Sequence, residues 1–241
     1  MTTIKKRLLG AAMTAGILGV GCSTATAVTP PTDFAVQSHL AQTPIEQALS
    51  QASAYFITQY HHAVYNPTAE GDNNANCGPT SLAMALKAFG VAPSGLTDPA
   101  HAQDLIRDVR VAMTGQDDED SWTYPAQVQQ AARKFGLQSD MVYTLADIKQ
   151  AMSQPGRLMV ININPSPAYI DQLVVNFNGG HFALLTKIDG DKAYLNDPLA
   201  TQPIVISLEQ LNKALTTPLG QDPDGHQVAA FDGGVLLWKN S

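Results

Sequence analysis

Apolar residues recur at helical spacing through the first half of the chain and gather into short unbroken runs through the second. Leu82, Leu86 and Phe89 fall at i, i+4 and i+7 behind Pro79, and Gly90 supplies a stop. A helix is therefore expected between them. A second pattern runs from Pro44 to about Ala63, carried by Ile45, Leu49, Ala52, Phe56 and the Tyr55/Tyr60 pair. Three shorter helical patterns follow, over about 99–113, 125–135 and 145–153. Residues 65–76 hold Pro67, Gly71 and a run of polar side chains, which predicts a loop.

The second half reads as strands. Arg157 to Ile163, His181 to Ile188, Lys192 to Asn196, Pro203 to Ile206 and Gly234 to Trp238 are short runs of largely apolar residues. Asp189-Gly190-Asp191 is a turn signal, so the second and third of these form a hairpin. A helix is expected near 208–215. Helices first and antiparallel strands second define an α+β domain.

The N-terminus departs from both patterns. Lys5, Lys6 and Arg7 precede an apolar run from Leu8 to Val20 that is short for a membrane span. Ala25-Thr26-Ala27 then provides a small-x-small cleavage site, so residues 1–27 read as a signal peptide and the product as exported, periplasmic or secreted. The alternative is a lipoprotein anchored through Cys22, although Gly19 stands where a bulky aliphatic residue is usual. Residues 28–43, with Pro30-Pro31, read as an extended arm, and residues 44–241 as one folded domain. Removing the signal leaves 11 Lys+Arg against 21 Asp+Glu. Such a surface argues against binding nucleic acid or anionic membrane non-specifically.

Export changes the meaning of Cys77. Cleavage discards Cys22 and lipidation blocks it, so one thiol remains without an intramolecular partner in an oxidising compartment. Cys77 lies just ahead of Pro79, at a helix start whose N–H groups and dipole favour an anion. A thiol so placed can titrate at roughly 3.5–7.5 instead of about 8.5. The bland reading is a small buried residue in a core helix.

A nucleophilic thiol needs a base, and the base an orienting partner. His39 lies in the arm, His101 on the outside of a helix, and His226 in a Pro-Asp-Gly-His turn. His61-His62 sits at a helix end, where neighbours do not share a face, and no HExxH spacing exists for a metal. His181 follows Asn178-Gly179-Gly180 and opens an apolar strand, which suits a rigidly held base. Asn196 and Asp197 end the returning strand beside it. A two-residue Asp189-Gly190 turn, pairing Ile188 with Asp191, puts Asn196 on the His181 face. A three-residue turn, pairing Ile188 with Lys192, puts Asp197 there. Either could fix the tautomer, and only Asp197 also stabilises the imidazolium. The acidic run Gly115 to Asp120 reads as a solvated loop, lacking the ligand spacing of a calcium site.

Asn76-Cys77-Gly78-Pro79-Thr80-Ser81-Leu82-Ala83-Met84, then Gly180-His181-Phe182, then Asn196-Asp197-Pro198 resembles the papain-like cysteine peptidases. The branch it looks most like is the bacterial double-glycine leader-processing peptidases. The resemblance implies a nucleophile helix packed on a C-terminal antiparallel sheet. It also implies Cys77 as nucleophile, His181 as general base and Asp197 as orienter, with Asn196 the alternative. That family supplies an oxyanion-hole glutamine shortly before the cysteine, where this chain has Gly71, Asp72, Asn73 and Asn74. Gln59 fills the role if residues 64–76 are an inserted loop, and Asn73 is the other candidate. Leader-processing members are fused to transporters, so leader cleavage is not the expected activity.

The expected function is an exported thiol hydrolase acting on peptide or isopeptide bonds, with protein, peptide or cell-wall crosslinks as substrate and neither cofactor nor metal. Acyl transfer of the transglutaminase kind uses the same groups. A catalytically silent fold used for binding is the alternative from another class, suited by the acidic loop beside Trp122 and Tyr124.

Overall fold

The computed structural model describes residues 43–70, 74–221, 227–228, 231 and 233–240. The signal-like segment, Cys22, His39, Asn73 and His226 lie outside the described residues, as does the arm up to residue 42.

Helix α1 (Pro44–Ser53) starts at a capping box: Thr43 Oγ1 accepts the Glu46 N–H and the Glu46 carboxylate accepts the Thr43 N–H. It does not continue to Ala63. Phe56 and Ile57 leave the helix for the core, where both are buried. The Gln59 N–H then donates to the Pro198 carbonyl at 3.1 Å. Burial against distant elements overrides the local helical spacing here. His61 and His62 thus lie in a loop, where His62 makes an isolated bridge to Asn66.

Three helices build the wall behind the site. They are α2 (Cys77–Ala88), α3 (Ala102–Thr114) after a 3-10 turn at Pro99–His101, and α4 (Pro125–Lys134). Every residue of α2 from Gly78 to Leu86 is buried, so the helix runs through the core and exposes only its ends. His101 sits in the 3-10 turn rather than on the helix, exposed and paired with Asp104.

Strand β1 (Gln138–Val142) and helix α5 (Leu145–Met152) precede β2 (Leu158–Ile163). Helix α6 (Ser166–Tyr169), β3 (His181–Asp189), β4 (Lys192–Asn196), β5 (Ile204–Ser207), α7 (Leu208–Thr216), β6 (Gly220–Gln221), β7 (Gln227–Val228) and β8 (Gly234–Trp238) follow. Six strands form one antiparallel sheet in the order β1-β8-β2-β3-β4-β5, so β8 is inserted between β1 and β2. Strand β1 is absent from the sequence pattern because Gln138-Ser139-Asp140-Met141-Val142 has little apolar character, and its pairing with β8 creates it. The class is α+β as expected, with α2 packed against β3.

The β3–β4 hairpin differs from both turn readings. Asp189 pairs with Lys192 and Ile188 with Ala193, so the two-residue turn is Gly190-Asp191. Gly190 takes φ 58°, the left-handed conformation such a turn requires. A bulge between Leu185 and Lys187 then shifts the register by one, so that Leu184 faces Asn196. Continued one step, that register puts Asp197 on the His181 face.

Candidate active site

The site forms where the start of α2 meets the start of β3. Cys77 is the first residue of α2 and is partly exposed. Packing there is tight: a Cβ on Gly78 would stand 2.5 Å from Thr123 Oγ1 and 3.2 Å from the Phe182 ring. Only glycine lets the helix approach this closely.

His181 opens β3, opposite Ile163 of β2, and is 2% exposed. Its Nε2 donates to Asp197 Oδ1 at 2.8 Å, and the ring shares its cleft with the Cys77 thiol. Asp197 is fully buried, so its charge needs every partner it has. Oδ1 also accepts the Leu199 N–H at 2.8 Å, and Oδ2 accepts the Tyr169 hydroxyl at 3.0 Å. Tyr169, from α6, is itself fully buried. Nothing in its local sequence marks it.

The electrostatics follow from these contacts. Burial pulls the His181 imidazolium down, but the Asp197 charge and hydrogen bond and the adjoining thiolate outweigh it and raise the pKa to about 10. Burial alone would push the Cys77 thiol up. The His181 hydrogen bond and charge, with N–H groups of Phe182 and Gly78, reverse that and hold it below its ordinary value. The arrangement favours a thiolate–imidazolium pair at neutral pH. Tyr169 is held well above its normal range by burial and by Asp197, so it remains a neutral donor.

Cys77 and His181 lie in a cleft of about 330 Å³. Trp122, Tyr124 and Phe177 stand exposed along its sides, and Leu199 and Leu219 close it. Gln59 lines the same cleft, 3% exposed. Its Nε2 donates to both the carbonyl and the side-chain oxygen of Asn74, each at 3.2 Å, and its Oε1 is buried without a partner. Asn196 points elsewhere: its Nδ2 donates to the Ala52 carbonyl at the end of α1 at 2.9 Å. Among the described residues no three His, Cys, Asp or Glu side chains converge as metal ligands.

Arg110 belongs to the site's support although no sequence motif contains it. It is fully buried on α3, and its guanidinium donates to the Asn76 side-chain oxygen and to the carbonyls of Ala75, Asp118 and Ser121. The acidic run is thus solvated only in part: Asp117 and Asp118 are exposed, while Glu119 accepts from Asn76 and Gln103. A signal does exist in the sequence. Ile106, Arg110 and Met113 share one face of α3, and a charge on an apolar face demands a buried partner.

Helices packed on an antiparallel sheet, with a thiol at a helix start beside a buried His–Asp pair, describe a papain-like cysteine peptidase fold. The chain belongs to the Peptidase_C39 like family, whose model it matches over residues 53–213. No curated protein matches it. Similar solved structures include a double glycine motif protease from an AMS/PCAT transporter in complex with the leader peptide. That one is 20% identical, covering 77% of this chain and 98% of its own, with a TM-score of 0.43. The peptidase domain of Streptococcus ComA, a bi-functional ABC transporter involved in quorum sensing, is 13% identical, covering 77% and 99%, TM-score 0.46. A C39-like peptidase from Bacillus anthracis is 16% identical, covering 79% and 96%, TM-score 0.48.

Proposed function

We propose that this protein is an exported cysteine peptidase or isopeptidase in which Cys77 is the nucleophile, His181 the general base and acid, and Asp197 the orienter of the imidazole. The observation that carries this reading is the buried His181–Asp197 pair, bonded at 2.8 Å, in the same cleft as the Cys77 thiol. The Cys77 thiolate attacks the substrate carbonyl carbon, forming a C–S bond and a tetrahedral oxyanion. Collapse breaks the C–N bond, and the His181 imidazolium delivers its proton to the leaving amine. Water then attacks the thioester while His181 takes its proton, and the thiolate departs from the carboxylic acid product. An amine in place of water gives acyl transfer by the same groups.

Gln59 is the residue we assign to the oxyanion, together with the N–H of Cys77 at the start of α2. It is the glutamine of the cleft wall, and residues 64–70 and 74–76 belong to a loop that separates it from Cys77 in sequence. One observation favours the silent, binding reading: the Gln59 amide nitrogen donates to Asn74, not into the cleft. Rotating the amide by 180° exchanges its nitrogen with the unpartnered oxygen.

The signal-like residues 1–27 support work outside the cytoplasm, with Cys22 acylation the alternative. The substrate is a protein or peptide, and cell-wall crosslinks fit export best. Iodoacetamide labelling of the folded protein tests the reading: Cys77 should react well below pH 8, and Cys77→Ala should abolish cleavage of casein or purified peptidoglycan. A Cys77 that reacts only after unfolding would overturn it.

A further inference from the structure

Asn76 occupies the N-cap of α2, and asparagine is among the preferred capping residues, yet its side chain makes no capping bond. A cap at this position can reach the N–H groups two and three residues on. The third residue is Pro79, which has none, so Gly78 offers the only N–H an Asn76 cap could take. That same N–H reaches the Cys77 sulfur. The Asn76 amide is instead held at both ends, its oxygen 2.7 Å from Arg110 Nε and its nitrogen 3.0 Å from Glu119 Oε1. Asn76 and Arg110 are fully buried, and Gln103 steadies Glu119 at 2.8 Å.

We propose that Arg110 and Glu119 are a positioning pair that holds the Asn76 side chain off the first turn of α2, leaving the Gly78 N–H to the Cys77 sulfur. Released, the Asn76 oxygen would cap α2 and compete with the thiolate. The pair also ties the loop carrying Asp120 and Trp122 to the residue before the nucleophile, since Arg110 donates to the Asp118, Ser121 and Ala75 carbonyls. The charges around Cys77 are His181 from β3 with Asp197 behind it, Arg110 from α3, Asp120 in the cleft wall, and Asp117, Asp118 and Glu119 around Arg110. This inference rests on the thiolate reading of Cys77.

Glu119→Ala gives the decisive sign. Loss of a nearby carboxylate alone would lower the thiol's titration midpoint, whereas release of Asn76 raises it. The expected result is a rise of about one pH unit, read as iodoacetamide alkylation roughly tenfold slower at pH 6. Adding Asn76→Ala, which removes the competing cap, should return the midpoint toward wild type. A lowered or unchanged midpoint in folded Glu119→Ala, or a double variant that stays raised, would overturn the proposal. If Glu119→Ala does not fold, Glu119→Met with and without Asn76→Ala carries the same comparison. Wild-type Cys77 that is inert until unfolding would instead bring down the peptidase reading itself.

Discussion

His181 and Asp197 are joined by a 2.8 Å hydrogen bond that exists because β3 and β4 slip by one residue at the Leu185–Lys187 bulge. Without that slip the Gly190-Asp191 turn would face Ala183 with Pro198 and move Asp197 to the other side of the sheet. The buried bond ties the imidazole to a fixed charge at the mouth of the sheet, and its consequences can be measured.

The imidazolium should be visible in the pH dependence of stability. His181 has a folded pKa of about 10, above its ordinary 6.5. Its contribution is therefore complete below pH 6.5 and is lost as pH rises through 10. Cys77 has the opposite sign: its lowered pKa stabilises the fold at high pH, and that is lost as pH falls through the folded value. Urea midpoints measured from about pH 6 to 11 should decline more steeply for wild type than for His181→Gln. Equal slopes would show that the imidazole is not held charged.

Asp197→Asn should cost about 10⁴-fold in kcat, the scale seen when a triad carboxylate is neutralised. It should also return the His181 titration toward its ordinary range, read by NMR of the ring protons. Asn196→Ala removes a bond to Ala52 rather than one to the imidazole. Its effect should fall on stability, by about 1–3 kcal/mol, with the His181 titration unmoved. A reversal of the two phenotypes would make Asn196 the orienter.

Tyr169→Phe deletes one donor to a buried carboxylate. Destabilisation of about 1.5–3 kcal/mol is expected from a lost hydrogen bond to a charged group. Urea unfolding of the folded variant beside wild type measures that loss. A variant as stable as wild type would show that the hydroxyl does not serve the charge.

Gln59→Ala should lower kcat by about 100- to 1,000-fold while the alkylation rate of Cys77 near pH 6 stays close to wild type. The split matters because the oxyanion forms only in the transition state. Asn73→Ala provides the contrast, and a larger loss there would transfer the role to Asn73.

Gly78→Ala tests the close approach of α2. The added methyl would overlap Thr123 Oγ1 at 2.5 Å, and overpacking of this kind costs about 1–3 kcal/mol. Displacing the loop that carries Trp122 and Thr123 should also raise KM more than it lowers thiol reactivity. Thr123→Ser leaves the hydroxyl in place and should not rescue, whereas Thr123→Ala should.

Several elements are legible in the sequence itself. Pro79 lies in the first turn of α2 and Gly90 just past its end, Pro125 and Leu145 open α4 and α5, and Gly234–Trp238 matches β8 residue for residue, because caps, breakers and apolar spacing act over a few positions. The extension of α1 to Ala63 cannot be corrected locally, since what ends it is burial of Phe56 and Ile57 under elements far along the chain. Strand β1 is hidden for the same reason: its partner β8 lies almost a hundred residues away.

Cys77, His181 and the Asn196-Asp197 pair are identifiable from residue type and local setting, because a thiol at a helix start and a histidine at a strand mouth are short-range arrangements. Which of Asn196 and Asp197 meets the imidazole is a matter of register, and a bulge with no mark in the hairpin's turn sequence decides it. Tyr169 comes into view only with the fold, and so do the partners of Arg110, since each of these bonds joins residues far apart in the chain. A buried polar group must find its partner wherever packing puts one, and packing is a property of the whole domain.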